Sequence, residues 1–195
     1  MGLLMIGCGS VIAAEAAGGD QAAKEKQMEK IGALRARVMM KLGDLQKLMD
    51  SNQNGAQAGY NNVQWLQTKI AQATQKAAAE ENAKPAEMKN QAVLDNLTKR
   101  AQRSAEMWVE FYQKDWTTYG QKMSDPAQTL AALGQVFANV ANVETVWARS
   151  SLDLELLISV LTAVDKRSDD LKVQASAVLA EFNKTLATWE AFSKE

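Results

Sequence analysis

Between residues 126 and 193 the sequence reads PAQTLAALGQVFANVANVETVWARSSLDLELLISVLTAVDKRSDDLKVQASAVLAEFNKTLATWEAFS. A seam of mostly apolar residues runs through this stretch in alternating steps of three and four. Its members are Leu133, Val136, Val140, Val143, Trp147, Ser150, Leu154, Leu157, Leu161, Val164, Ser168, Leu171, Ala175, Val178, Phe182, Thr185, Trp189 and Phe192. Such a period, kept over many heptads, is typical of helices that pack as left-handed coiled coils. It predicts one helix from Pro126 to Ser193, which would include the charged run at residues 165–170.

The rest of the chain also has helical periodicity. We predict a first helix over about residues 20–49, where apolar residues recur at the same steps. The polar, glycine-containing stretch at residues 51–59 is typical of a loop. A second helix is predicted to begin near Tyr60 and to kink or restart at Pro85, and a third covers residues 86–119. The alternating Val, Ile and Thr runs that indicate strands are missing from the sequence.

A stop signal followed by a start signal lies between the predicted third helix and the long seam. Gly120 is suited to ending a helix, and Asp125 followed by Pro126 is a preferred start for the next one. We therefore predict an αα-hairpin that turns at residues 120–125.

Pairing outward from this turn would place Phe111 opposite Phe137. The predicted fold class is all-α, an elongated antiparallel helical bundle or coiled-coil hairpin that is three helices thick at one end. Residues 20–195 would form a single helical domain, and residues 1–19 would be a signal-like segment and tether.

The first residues have the character of an export signal. Residues 2–17 read GLLMIGCGSVIAAEAA, and their apolar part is shorter than the roughly 20 residues that a helix needs to span a bilayer. Within them, Leu4-Met5-Ile6-Gly7-Cys8 resembles the lipobox of bacterial lipoproteins. The resemblance implies that Cys8 is the lipid attachment residue and that the protein lies on the periplasmic side of the outer membrane. Attached acyl chains would then hold a helical domain at the membrane surface.

Two other interpretations of this segment stay open. Ala14-Glu15-Ala16 fits the small-residue cleavage site of an ordinary secretory signal, which would remove Cys8 and place the protein in the soluble periplasm. Alternatively, residues 3–17 are a short apolar helix of a cytosolic protein, in which Cys8 is a small buried side chain.

The composition excludes several kinds of site. The chain has 195 residues, 22 Lys and Arg against 23 Asp and Glu, no His and one Cys. A net charge of −1 gives no field that would attract nucleic acid. Without His there is no histidine-based triad or histidine metal ligand, and a single Cys cannot form an internal disulfide. We therefore expect no catalytic residues, no metal, no cofactor and no nucleic-acid partner.

An aromatic stripe on the predicted third helix supplies the candidate binding residues. It consists of Trp108, Phe111, Tyr112, Trp116 and Tyr119. Trp108 and Phe111 lie on the apolar seam, which favours a place in the core. Tyr112 and Trp116 lie off its centre, and we predict that they bind a partner, since aromatic side chains carry much of the binding energy at interfaces.

Together these features predict a non-enzymatic exported scaffold or adaptor, lipid-anchored as a subunit of a cell-envelope assembly. It would bind other proteins, or itself, through coiled-coil surfaces. Two alternatives stay open. One is a helical protein that acts on membranes or lipid surfaces, such as a pore-former or a phasin-like coat, and the other is a helical-bundle sensor domain that binds a small molecule between its helices.

Overall fold

The computed structural model describes the backbone of residues 9–147 and 151–194, and the side chains of residues 19–142, 153–192 and 194. Every long element in these residues is a helix, which confirms the predicted all-α fold. Helix α1 spans Gly9–Asn82, α2 spans Gln91–Glu110, α3 spans Thr117–Trp147 and α4 spans Ser151–Lys194. A 3₁₀ turn at Ala86–Met88 follows α1, and a π-helical segment at Phe111–Trp116, here called the π-turn, joins α2 to α3.

The chain divides into two compact units, each with its own core. The first unit comprises Met1–Leu45 and Thr129–Leu171. Parts of α1, α3 and α4 pack together in it through the buried side chains of Ile31, Leu34, Val140, Leu154, Leu157 and Leu161. The second unit comprises Gln46–Gln128 and Lys172–Glu195. Its core contains Ala56, Val63, Phe111, Tyr119, Phe182 and Trp189, and is therefore largely aromatic.

Ring contacts fix the helix directions in the second unit. The ring centroid of Tyr119 lies 4.2 Å from that of Phe182, and the centroid of Phe111 lies 6.4 Å from that of Trp189. Residue numbers in α4 therefore rise as those along the π-turn and α3 fall, so α4 runs antiparallel to them. Helix α1 is antiparallel to them as well, because Tyr60 contacts Phe111 while the carbonyl oxygen of Asn52 accepts a hydrogen bond from Tyr119.

The polar stretch at residues 51–59 is helical, so the predicted loop and the predicted end of the first helix are both wrong. Helix α1 passes through this stretch without a break. Asn52 and Ala56 are buried in the second unit. A Cβ atom at Gly59 would lie only 2.6 Å from a methyl carbon of Leu186. The missing side chain at Gly59 leaves room for Leu186 of α4, and residues typical of a loop thus serve helix packing.

The predicted hairpin at residues 120–125 is also wrong. Helix α3 continues through these residues, and Pro126 is buried inside it. The ring of Phe111 meets the ring of Phe182 in α4, with centroids 6.3 Å apart, and does not pair with Phe137. An interior proline costs a helix about 3 kcal/mol. Packing of α3 on both sides of Pro126 outweighs that cost, so the stop and start signals do not end the helix here.

The long helix predicted over residues 126–193 is in fact two helices, since α3 ends at Trp147 and α4 begins at Ser151. Val140 of α3 and Leu161 of α4 share one core, although an unbroken helix would hold them about 30 Å apart. The predicted seam steps by three and four through this region without a break, although its member Val136 in α3 is 40% exposed. Periodicity alone therefore does not show where the chain reverses. The predicted seam side chains at positions 143, 147 and 150 lie outside the described residues.

Other predictions about the course of the chain are confirmed. The charged run at residues 165–170 is helical and belongs to α4. The chain restarts at Pro85, since α1 ends before it and α2 begins beyond it, where Asn90 caps α2 by accepting hydrogen bonds from two backbone amides. Cys8 and the rest of the lipobox-like segment lie outside the described residues. Within the described part of the chain, no helix contains a stretch long and apolar enough to cross a bilayer.

Candidate functional site

The π-turn results from a one-residue slip in the apolar seam of α2 and α3. Packed positions step by three and four as far as Phe111, and the same steps resume at Tyr119. These residues are eight apart, whereas a heptad would place them seven apart. One extra residue would rotate Tyr119 by about 100° in a regular α-helix, but the wider π-turn absorbs it. Thr117 supports this geometry, because its Oγ1 donates a 3.0 Å hydrogen bond to the carbonyl oxygen of Tyr112.

On the side that faces α1, the rings of Trp108 in α2 and of Tyr112 and Trp116 in the π-turn lie around the ring of Tyr60. The ring centroid of Tyr60 lies 4.7 Å from that of Trp116, 5.6 Å from that of Trp108 and 6.1 Å from that of Tyr112. We call these four residues the aromatic surface. Tyr112 is 48% exposed, and the other three side chains are partly buried. The tilted and stacked ring pairs add about 0.5–1.5 kcal/mol each beyond the area they bury, so the surface is held in place before any partner arrives.

Sequence analysis found part of this surface and missed part. The predicted binding residues Tyr112 and Trp116 lie together on it, whereas Trp108, which was assigned to the core, is only partly buried. Tyr60 was missed, because it lies on another helix and its neighbours follow only from the antiparallel register of α1. Trp65 is the contrasting case. It is 55% exposed, and the ammonium group of Lys69 lies 5.7 Å from its ring centroid.

On the side that faces α4, two open clefts flank the π-turn. The first has a volume of about 190 Å³ and lies over Tyr119 and Phe182. The second has a volume of about 290 Å³ and lies over Phe111 and Trp189. Lys114, Asp115 and Thr185 line both. The two clefts therefore share a wall that carries a positive charge, a negative charge and a hydroxyl group.

Asp115 is a second residue that sequence analysis missed. Its carboxyl is partly buried, and desolvation raises its pKa, with a smaller opposing effect from Lys114 and a further rise from Glu110. The signal that could have found it is the slip in the seam, since Asp115 lies four residues from Phe111 and four from Tyr119. An acid thus occupies a position between two buried rings.

In the first unit, two basic residues of α1 contact acids of α4. Asp165 accepts hydrogen bonds from Arg37 Nε at 2.9 Å and Arg37 Nη2 at 2.8 Å, and its Oδ1 lies 2.9 Å from Lys41 Nζ. Lys41 Nζ also lies 2.8 Å from Asp169. Desolvation opposes ionisation of Asp165, but the hydrogen bonds from Lys41 and Arg37 outweigh it and hold the pKa of this carboxyl below its ordinary value. These charges satisfy one another, and we assign the cluster a structural role.

Among the described residues, no three His, Cys, Asp or Glu side chains lie close enough together to hold a metal ion. Comparison with known proteins gives no match to this chain, whether to a protein family, to a curated protein or to a solved structure. The function is therefore argued from the residues of the molecule itself.

Proposed function

We propose that this chain is a non-enzymatic helical scaffold of the bacterial cell envelope, anchored by a lipid on Cys8, and that it binds a partner protein through the aromatic surface. One observation carries the proposal: the rings of Trp108, Tyr112 and Trp116 all contact the ring of Tyr60, while Tyr112 stays about half exposed. The lipobox-like start supports the anchor. The absence of His from the sequence supports a role other than catalysis.

The aromatic surface has the properties of a binding hot spot. Its rings are already ordered by contact with Tyr60, so a partner would not need to restrict them on binding. Tyr and Trp offer large apolar area together with a polar edge, which suits them to protein interfaces. Burying the exposed part of Tyr112 would contribute about 2 kcal/mol of apolar transfer free energy.

The partner site can be tested by photo-crosslinking in intact cells. A photoreactive benzophenone amino acid is placed at position 112, on the aromatic surface, or at position 65 as a matched control. Tyr112 and Trp65 have similar exposure, at 48% and 55%, and both lie in the second unit, so the two probes are equally open to chance collisions. We expect position 112 to give a discrete adduct with one defined envelope protein, and position 65 to give none.

A second set of variants tests whether the adduct at position 112 depends on the arrangement of the rings. Tyr60→Ala removes the ring on which the surface is centred, and we expect it to reduce the adduct at position 112 at least severalfold. Met88→Ala alters an apolar side chain that is 70% exposed in the same unit, and should leave the adduct unchanged. Equal adducts from positions 112 and 65, or an adduct at 112 that survives Tyr60→Ala, would contradict the proposal.

A further inference from the structure

Asp115 lies in the π-turn where the seam would ordinarily take an apolar side chain. Phe111 and Tyr119, four residues to either side, are both buried in the core of the second unit. Its carboxylate is partly buried, yet it forms no hydrogen bond or salt bridge with any described residue. A leucine here would extend the core. A charge at such a position opposes burial, and local conflicts of this kind are found most often at functional sites.

The neighbouring charges do not neutralise Asp115. Lys122 Nζ contacts the carboxylate of Glu181 at 2.7 Å and 2.8 Å. Lys114 Nζ lies 3.4 Å from Glu110 Oε1. Each ammonium group near the clefts therefore already faces another carboxylate. Three carboxylates line the two clefts against two ammonium groups, and among the described residues Asp115 is the one of the three that has no salt bridge.

We propose that Asp115 and the two flanking clefts bind a small organic cation, an ammonium group with a short apolar or aromatic substituent. The ammonium would supply the salt-bridge partner that Asp115 lacks among the described residues, and would donate hydrogen bonds to its carboxylate and to the hydroxyl of Thr185. The substituent would lie over the rings of Phe182 and Trp189, which line the clefts and attract both apolar groups and cations.

The size of the clefts limits the ligand. Volumes of about 190 and 290 Å³ lie below the range of about 300–1,000 Å³ that holds drug-sized ligands. The site also differs from the aromatic surface, because none of the four residues of that surface lines either cleft. The inference goes beyond the proposed function, and each can fail without the other.

Titration of the full chain with benzylammonium, followed by NMR of threonine methyl groups, tests the proposal. Benzylammonium has the positive charge and the aromatic ring that the proposal assigns to the ligand. A ligand this small should bind with a dissociation constant on the order of 1 mM. We expect saturable shifts of the methyl signals of Thr185 and Thr188, both of which line the larger cleft. Benzyl alcohol, which has a similar shape and no charge, should cause no saturable shift.

Two variants test whether binding depends on the carboxylate of Asp115 or on the negative charge of the chain in general. Asp115→Asn keeps the size of the side chain, leaves the fold intact and should weaken benzylammonium binding at least tenfold. Asp125→Asn removes an exposed charge in α3 that lines neither cleft, and binding should stay unchanged. The proposal is overturned if benzyl alcohol and benzylammonium bind alike, if Asp115→Asn binds as well as the wild-type chain, or if the methyl signals do not shift.

Discussion

Asp165 and Asp115 are both partly buried carboxylates, but they differ in what surrounds them. Asp165 lies against Arg37 and Lys41, whereas Asp115 has no hydrogen-bonding partner among the described residues. Sequence analysis could not separate the two. Arg37 and Asp165 are 128 residues apart, and their contact depends on the parallel register of α1 and α4. Pairing across that distance is a property of the packed helices, which local sequence does not contain.

For Asp165 we expect a loss of stability on substitution. Asp165→Asn should lower the free energy of unfolding near neutral pH by about 1–2 kcal/mol, because it removes charge-assisted hydrogen bonds at a side chain that is only 13% exposed. The pKa of Asp165 is lowered on folding, so this stabilisation is complete above the ordinary value and is lost as the pH falls through the folded value. The difference between variant and wild type should therefore shrink in acid. Urea unfolding at a series of pH values measures it.

Asp169→Asn is the control for this prediction. Asp169 is 63% exposed, and among the described residues it forms a salt bridge with Lys41 only, so its substitution should change the free energy of unfolding by less than about 0.5 kcal/mol. Equal losses of unfolding free energy in the two variants would contradict this prediction, because they would show that the hydrogen bonds at Asp165 stabilise the fold no more than an exposed salt bridge does.

For Asp115 we expect the opposite dependence of stability on pH from that of Asp165. Desolvation raises its pKa on folding, so the folded state holds the proton more tightly than the unfolded state. The free energy of unfolding should fall as pH rises from the ordinary aspartate value to the raised one. Asp115→Leu removes this contribution and should be about 1 kcal/mol more stable than wild type at neutral pH, with a smaller gain in acid, where the protonated carboxyl costs less to bury. A leucine variant that is less stable than wild type at neutral pH would contradict this account of the π-turn.

At the scale of the elements, α4 is the helix that the sequence predicts best. Its seam from Leu154 to Trp189 is buried at the expected steps except at Val178 and Thr185, which are partly buried, because helical periodicity is a local property of the chain. The reversals were predicted poorly. Gly120 and Asp125 have the residue types of a turn but lie within α3, since the packing of a long helix decides the outcome there. The reversal between α3 and α4 leaves no mark in the periodicity, because the predicted seam continues through it in steps of three and four.

The π-turn can be tested by removing its extra residue. Deletion of Gln113 should restore seven-residue spacing between Phe111 and Tyr119, convert the π-turn to a regular α-helix and place Trp116 in the seam where Asp115 lies now. We expect the urea midpoint to be at least as high as in the wild-type chain, because an indole replaces a carboxylate between two buried rings.

Deletion of Gln121 provides the matched control for that shortened chain. Gln121 is exposed and lies in regular α-helix, so its loss creates a slip that no π-turn absorbs. It should turn the packed side chains of α3 away from the core and lower the urea midpoint clearly. If both deletions destabilise the fold equally, the slip is not the cause of the π-turn.

At the scale of the whole molecule, three helical segments pack in each compact unit, and the bundle predicted from the sequence is confirmed at that level. The candidate surface was predicted in part, through Tyr112 and Trp116. The rest of it depends on Tyr60, which reaches those residues only through the course of α1. The proposed role depends further on where the cell places the bundle, and that is decided by the segment around Cys8.

The intact mass of the mature protein, taken from the membrane fraction of its own cells, tests this placement most directly. The account expects a chain that begins at Cys8 and carries added acyl mass. Cys8 is the single cysteine of the sequence, so Cys8→Ser should abolish the added mass and release the protein from the membrane. A chain that keeps Met1 and carries no added mass would contradict the proposal of an anchored envelope scaffold, and so would an unmodified chain that begins at Ala17.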